Sequence, residues 1–290
     1  MKGLLTLSDL KTEQILDIIH YALELKQGLS VSYENKKMAT LFFENSTRTH
    51  YSFITAMMNL GIKVIDFNSA ISSVSKGESL YDTIRTFEAL GMDGIVIRHP
   101  KDEYFKELEK IQIPIFNGGD GASHHPTQSL LDLMTIYEEF QSFQGLKCCI
   151  IGDISHSRVA HTNIEVMKRL GMEVYISGPK EFDDGSAAYI PLEQAINCAD
   201  ILMLLRVQFE RHKEKMKMST LEYHQSFGIT KKKTEQMKSK AIILHPAPVN
   251  RGVEIADDVV ECDKSRIYKQ MTNGVYIRMA VISMVLDGKL

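Results

Sequence analysis

Short runs of aliphatic and β-branched residues alternate with amphipathic segments along the whole chain, and this alternation limits the fold more than any other feature. The runs at 39–43, 63–67, 94–98 and 114–117 read as strands in the first half, and those at 147–151, 173–176, 201–206 and 241–244 in the second. Between them, Ile54, Met57, Met58 and Gly61 fall at i, i+3, i+4 and i+7 of a helix opening at Ser46. Leu80, Ile84, Phe87 and Gly91 keep a similar period, and Leu130, Met134 and Tyr137 carry it into a helix from about Pro126. Strands separated by helices of this kind pair in parallel through βαβ crossovers. Gly61 and Gly91 stand where a helix commonly ends in the left-handed conformation.

A chain of 290 residues has room for two domains of about 150 residues each. The polar break Gln141-Ser142-Phe143-Gln144-Gly145 separates the two sets of units, and a further helix spans about 159–170. The expected class is α/β, with domains over 1–141 and 142–274. Each is a mostly parallel sheet flanked by helices, with a ligand cleft between them. A last helix carries Ile277, Val281, Met284 and Val285 on one face, and the segment 275–290 is expected to pack back on the first domain.

Acidic residues outnumber basic ones 37 to 34, so the net charge of -3 gives no overall field for nucleic acid or an anionic membrane. Any anion must be held by a local cluster. The basic runs at 211–217 and Lys231-Lys232-Lys233 read as solvated faces. No apolar stretch approaches the roughly 20 residues of a spanning helix, and the N-terminal apolar stretch breaks too early for a signal peptide. A cytoplasmic protein is expected. Cys148 and Cys149 are adjacent while Cys198 and Cys262 are isolated, which gives no CxxC spacing and points to four inert thiols.

Polar and cationic clusters follow the strands, which is where open parallel sheets bind ligands. In Glu44-Asn45-Ser46-Thr47-Arg48-Thr49-His50, Ser46 reads as an N-cap. The helix N–H groups, three hydroxyls and the Arg48 guanidinium could converge on one anion, or form only a capped helix with a surface arginine. Arg98 ends a buried strand. In Gly118-Gly119-Asp120-Gly121-Ala122-Ser123-His124-His125-Pro126-Thr127-Gln128, glycines allow close turns, and His125 and Gln128 can reach one ligand from one helix end. Adjacent His124 and His125 point apart with no thiol or HExxH companion, so neither metal nor cofactor is expected. Gly152-Asp153-Ile154-Ser155-His156-Ser157-Arg158 follows a strand without GxGxxG glycines, which disfavours a dinucleotide. Arg206 and Gln208 share one face of an extended segment, and the carbonyls of His245-Pro246-Ala247-Pro248 could accept from an amide or amine. Arg158, Arg206 and Gln208 suit a dicarboxylate.

With these residues in hand, the chain resembles the aspartate and ornithine carbamoyltransferase family over essentially its whole length. Ser46-Thr47-Arg48-Thr49 and His125-Pro126-Thr127-Gln128 are similar to its two shared motifs. Leu205-Arg206-Val207-Gln208 and His245-Pro246-Ala247-Pro248 resemble the aspartate branch, and the Ser-Met-Gly and His-Cys-Leu-Pro elements of the ornithine branch are absent. The resemblance implies a carbamoyl phosphate-binding first domain, an aspartate-binding second domain, and transfer of a carbamoyl group to L-aspartate early in pyrimidine biosynthesis. It assigns Ser46, Thr47, Arg48 and Thr49 to the phosphate, and Thr49, Arg98 and His125 to the carbonyl oxygen. Gln128 and the backbone at Pro246, Ala247 and Pro248 would take the carbamoyl amide; Arg158, Arg206, Gln208 and Lys76 would take aspartate. Ser72-Ser73-Val74-Ser75-Lys76-Gly77-Glu78 reads by composition as a flexible linker, whereas the resemblance makes it a loop that sends Ser72 and Lys76 into a neighbouring subunit's site within a homotrimer. Asn45 and Ser75 depart from the residues often found there, and a place for regulatory chains is left open. Rival readings are a carbamoyltransferase for another amino acid, an inactive binding member of the fold, and a nicotinamide oxidoreductase.

Overall fold

The computed structural model describes residues 3–69, 72–121, 123–207 and 218–290. Its contacts divide the chain into one unit of Met1–Met134 with Met271–Leu290 and a second of Thr135–Gln270.

In the first unit, β1 (Gly3–Leu4), β2 (Lys37–Phe42), β3 (Lys63–Phe67), β4 (Gly94–His99) and β5 (Ile115–Asp120) form a parallel sheet ordered β1-β5-β4-β2-β3. The central strands β2 and β4 are buried along most of their length, as continuous apolar runs covered on both faces should be. Edge strand β3 is largely exposed and carries Lys63 and Asp66, charges that discourage further strand pairing. From β2 the chain steps outward to β3 and then returns to lay β4 on the other side. That reversal is a topological switch point between β2 and β4, where such sheets open a ligand crevice.

Helices α1 (Thr12–Lys26), α2 (Thr47–Asn59) and α3 (Leu80–Ala89) connect these strands, and α4 (Pro126–Phe140) follows β5. Gly61 and Gly91 take positive φ of 71° and 78° after α2 and α3, and the Ile62 N–H donates back to the Met57 carbonyl at 2.9 Å. The sequence reading placed no element before residue 39, yet α1 buries Ile15, Ile18, Ile19, Ala22 and Leu25 at a helical period. Strand β1 is two residues long, too short to show a period.

The second unit repeats the plan. β6 (Lys147–Ile151), β7 (Glu173–Ser177), β8 (Ala188–Tyr189), β9 (Ile201–Leu204) and β10 (Ile242–Leu244) pair in parallel as β10-β9-β6-β7-β8, with the switch between β6 and β9. Helices α5 (Arg158–Arg169), α6 (Leu192–Cys198), α7 (Thr220–Phe227) and α8 (Lys231–Glu235) belong to it. The strand expected over 201–206 ends at Leu204, although the Leu205 N–H still donates to the Ile151 carbonyl at 2.9 Å.

The final helix, α9 (Ile267–Leu286), starts well before the expected 275. Arg278 on α9 is buried over the Phe53 ring and donates from Nη1 to Ser52 Oγ at 3.0 Å. Cys148 and Cys149 lie buried on β6, all four cysteines are free, and burial holds the Cys149 thiol protonated by raising its pKa well above the usual range. Among the described residues no helix is long and apolar enough to cross a membrane.

Candidate active site

In the first unit, the candidate donors follow β2, β4 and β5, around its switch point. Ser46 sits at the cap position of α2 with extended backbone, but its hydroxyl makes no capping hydrogen bond, and the first turn holds no acidic residue. This corrects the expectation that Ser46 caps the helix. The positive end of the helix dipole therefore lies beside Ser46, Thr47 and the exposed Arg48 with no cap from the Ser46 side chain. One residue further on, Thr49 is buried and its Oγ1 is hydrogen bonded to Nε2 of His125 at 3.3 Å.

Arg98, at the end of β4, pairs through Nε with Glu44 Oε2 at 3.3 Å and donates from Nη1 to the Gly118 carbonyl at 3.3 Å. Gly118 is closely packed: a Cβ there would lie 3.2 Å from the Ile97 carbonyl oxygen and 3.3 Å from the Phe42 ring, so these neighbours would have to give by a few tenths of an ångström. Asn117 and Asp120 shape the following turn: Asn117 Nδ2 donates to Asp120 Oδ1 at 2.7 Å, and the Glu103 N–H donates to Asp120 Oδ2 at 2.8 Å. At the start of α4, Gln128 donates from Nε2 to the buried Asp132 Oδ1 at 2.9 Å. That bond fixes which way the amide faces. Asn117 and Asp132 were not singled out from the sequence; the i, i+4 spacing of Gln128 and Asp132 was the signal available. His50, by contrast, turns away to Asp66 Oδ1 at 2.7 Å and stacks on Phe42.

The 72–78 segment is not a plain linker. Ser72 Oγ donates to the Ser69 carbonyl at 2.8 Å and accepts from the Val74 N–H, Ser73–Lys76 form one tight helical turn, and Gly77 closes it at φ 90°. Lys76 is exposed on this turn.

In the second unit, Arg158 opens α5 and Arg206 follows β9, so both flank the switch between β6 and β9. Ser157 does cap its helix, accepting from the Ala160 N–H at 3.1 Å. Buried Asp153 accepts from Ser155 Oγ at 3.2 Å and pairs with His156 Nδ1 at 2.9 Å. Gln208 lies outside the described residues, as does the basic run at 211–217. After β10, His245 is buried, Ala247 takes a left-handed φ of 53° before a cis bond to Pro248, and residues 246–248 are partly exposed. Glu254, buried beneath that loop, was missed in the sequence because nothing in its spacing marks it.

Residues 2–138 match the family model of the aspartate/ornithine carbamoyltransferase carbamoyl-P binding domain, and residues 144–285 that of the Asp/Orn binding domain. The chain is 51% identical to the aspartate carbamoyltransferase catalytic subunits of Streptococcus pyogenes serotype M4 and Streptococcus agalactiae serotype Ia, with 100% of this chain aligned to 96% and 97% of theirs. Among solved structures, aspartate transcarbamoylase from Trypanosoma cruzi in complex with carbamoyl phosphate superposes with a TM-score of 0.86 at 28% identity, covering 97% of this chain and 94% of that one. The same enzyme in complex with N-(phosphonacetyl)-L-aspartic acid gives 0.85 at 29% identity, with the same coverage of each chain. With motifs, topology and both halves in agreement, the chain belongs to the aspartate/ornithine carbamoyltransferase family.

Proposed function

We propose that this chain transfers the carbamoyl group of carbamoyl phosphate to the amine of L-aspartate, giving N-carbamoyl-L-aspartate and phosphate in the cytoplasm, as an early step of pyrimidine biosynthesis. The observation that carries the reading is the buried Thr49–His125 pair beside an uncapped helix N-terminus, matched in the second unit by arginines where a cationic acceptor would need carboxylates. Region 1–141 binds carbamoyl phosphate and region 142–274 binds aspartate.

Ser46, Thr47, Arg48 and the α2 N–H groups hold the phosphate. Thr49, Arg98 and His125 donate to the carbonyl oxygen, polarising the carbon for attack and stabilising the tetrahedral oxyanion as it forms. Gln128, oriented by Asp132, and the carbonyls at 246–248 fix the carbamoyl amide. Arg158, Arg206 and Gln208 pair with the two aspartate carboxylates, leaving the amine free to attack. Phosphate departs with the bonding electrons and takes up the amine proton, leaving as the hydrogenphosphate dianion, so His125 serves as a hydrogen-bond donor and needs no role as base. Placement of two substrates in attack geometry supplies much of the remaining acceleration.

The working form is a homotrimer in which Ser72 and Lys76 complete a neighbour's site. Exposed apolar residues support this: Tyr51 and Met58 lie seven residues apart on one face of α2 at 58% and 66% exposure, and Ile65 is exposed on the edge strand that leads into the 72–77 turn. Purified protein given carbamoyl phosphate should yield carbamoylated product with aspartate and none with ornithine. Product with ornithine instead would reverse the acceptor assignment, and product with neither, from protein that still binds phosphonate analogues, would favour the inactive binding member.

A further inference from the structure

The interior of the second unit holds a hydrogen-bonded network that neither the motifs nor the mechanism uses. His245 is fully buried, and its Nδ1 accepts the Ala247 N–H at 2.8 Å. A backbone N–H can only donate, so Nδ1 carries no proton and the neutral ring bears its proton on Nε2. That Nε2–H donates to Glu254 Oε1 at 3.2 Å, and the same oxygen accepts the Asn250 N–H at 2.5 Å. A single carboxylate oxygen therefore ties both ends of the 245–250 loop. The His245 backbone N–H is itself anchored on Gln270 Oε1 at 2.9 Å. On its other side, Asn250 Nδ2 donates to the Val207 carbonyl at 2.9 Å, next to Arg206.

We propose that Glu254 is a positioning residue: through His245 and Asn250 it holds the 246–248 carbonyl loop and the Arg206 segment as one piece, so one buried carboxylate sets the groups for the carbamoyl amide and for aspartate together. This rests on the function proposed above. Glu254 does not act as an acid or base, because it is 2% exposed and the oxygen facing the loop already accepts two donors. The left-handed Ala247, a conformation disfavoured for a residue with a Cβ, explains why the loop needs such a tether.

The test uses the full-length protein with Asn250→Ala, His245→Asn and His245→Gln, each checked for an unchanged melting temperature. Asparagine places an oxygen where Nδ1 of His245 accepts from Ala247, while glutamine reaches towards Glu254 without that acceptor. Asn250→Ala should raise the aspartate KM about tenfold, the size of one lost hydrogen bond, and leave the dissociation constant of inorganic phosphate, bound in the first unit, within twofold. His245→Gln, which keeps the link to Glu254, should keep about ten times more turnover than His245→Asn, which breaks it. An unchanged aspartate KM in Asn250→Ala, or equal loss in the two His245 variants, overturns the proposal. Failure of the wild-type protein to make carbamoyl aspartate would instead remove the assigned function, and amide hydrogen exchange then decides the network by itself. Asn250→Ala must speed exchange at both Leu205 and Ala247, and acceleration confined to residue 250 refutes the coupling.

Discussion

The two units share a four-strand core order, β5-β4-β2-β3 and β10-β9-β6-β7, and put different side chains at the switch point of each. Each sheet reverses its strand order once, and each reversal is followed by a strand-to-helix turn with serine at the cap position: Ser46 after β2 and Ser157 after β6. Ser157 spends its hydroxyl on its own helix, whereas Ser46 leaves the helix end open. The first unit thus offers N–H groups and hydroxyls, suited to the dense charge of a phosphate. The second has its helix capped and a buried Asp153 beside the turn, and among its described residues Arg158 and Arg206 are the cations that flank the switch. One fold specialises by whether a single cap hydrogen bond is made.

The largest expected effect sharpens the first unit's side of this contrast. His125→Gln should lower turnover about 10² to 10³-fold, the typical cost of one oxyanion donor, measured at saturating substrates; turnover near wild type would remove the assigned role. In the second unit, Arg206→Ala should raise the aspartate KM about tenfold to a hundredfold, as expected for lost hydrogen bonds to a charged group, with a much smaller change for carbamoyl phosphate. Equal losses for both substrates would place Arg206 elsewhere.

The serine pair tests the comparison itself. Ser157→Ala should cost about 1 kcal/mol of stability, seen as a lower denaturant midpoint, because a cap is lost. Ser46→Ala should leave the midpoint unchanged and weaken phosphate binding. A matching stability loss in both would break the distinction.

The smallest effect concerns pH. Burial alone would raise the Glu139 pKa, but hydrogen bonds from Arg266 and Lys269 outweigh it and hold the carboxyl below its ordinary value. A group lowered in the folded state stabilises above its unfolded pKa and loses that contribution as pH falls through the folded one. Glu139→Gln should therefore reduce the melting temperature by about 2–4 °C at pH 7, where roughly 1 kcal/mol is lost, with the gap to wild type closing as the solution is acidified below the carboxylate range.

Much of this was legible in the sequence because strand ends carry it. Arg98 and Arg206 each come directly after a short apolar run, and Arg158 opens the helix after the polar turn that follows another, places where a cation has few structural reasons to be. The 3.6-residue period also located α2 and its glycine stop. What escaped were partners set by the third dimension. Asp132 orients Gln128 and Glu254 ties the 245–250 loop, yet each reads as an ordinary acidic residue until its burial is known. The turn at 72–77 was taken for a linker because serine composition does not show that Ser72 and Gly77 close it at both ends.

Gly118 shows where inheritance can reach this reaction without touching its chemistry. The residue with no side chain supplies the carbonyl that receives the Arg98 guanidinium, and the Ile97 carbonyl and Phe42 ring leave no ordinary room for one more carbon. A single codon change there would press one more carbon against the strand that carries Arg98, without altering any atom that reacts.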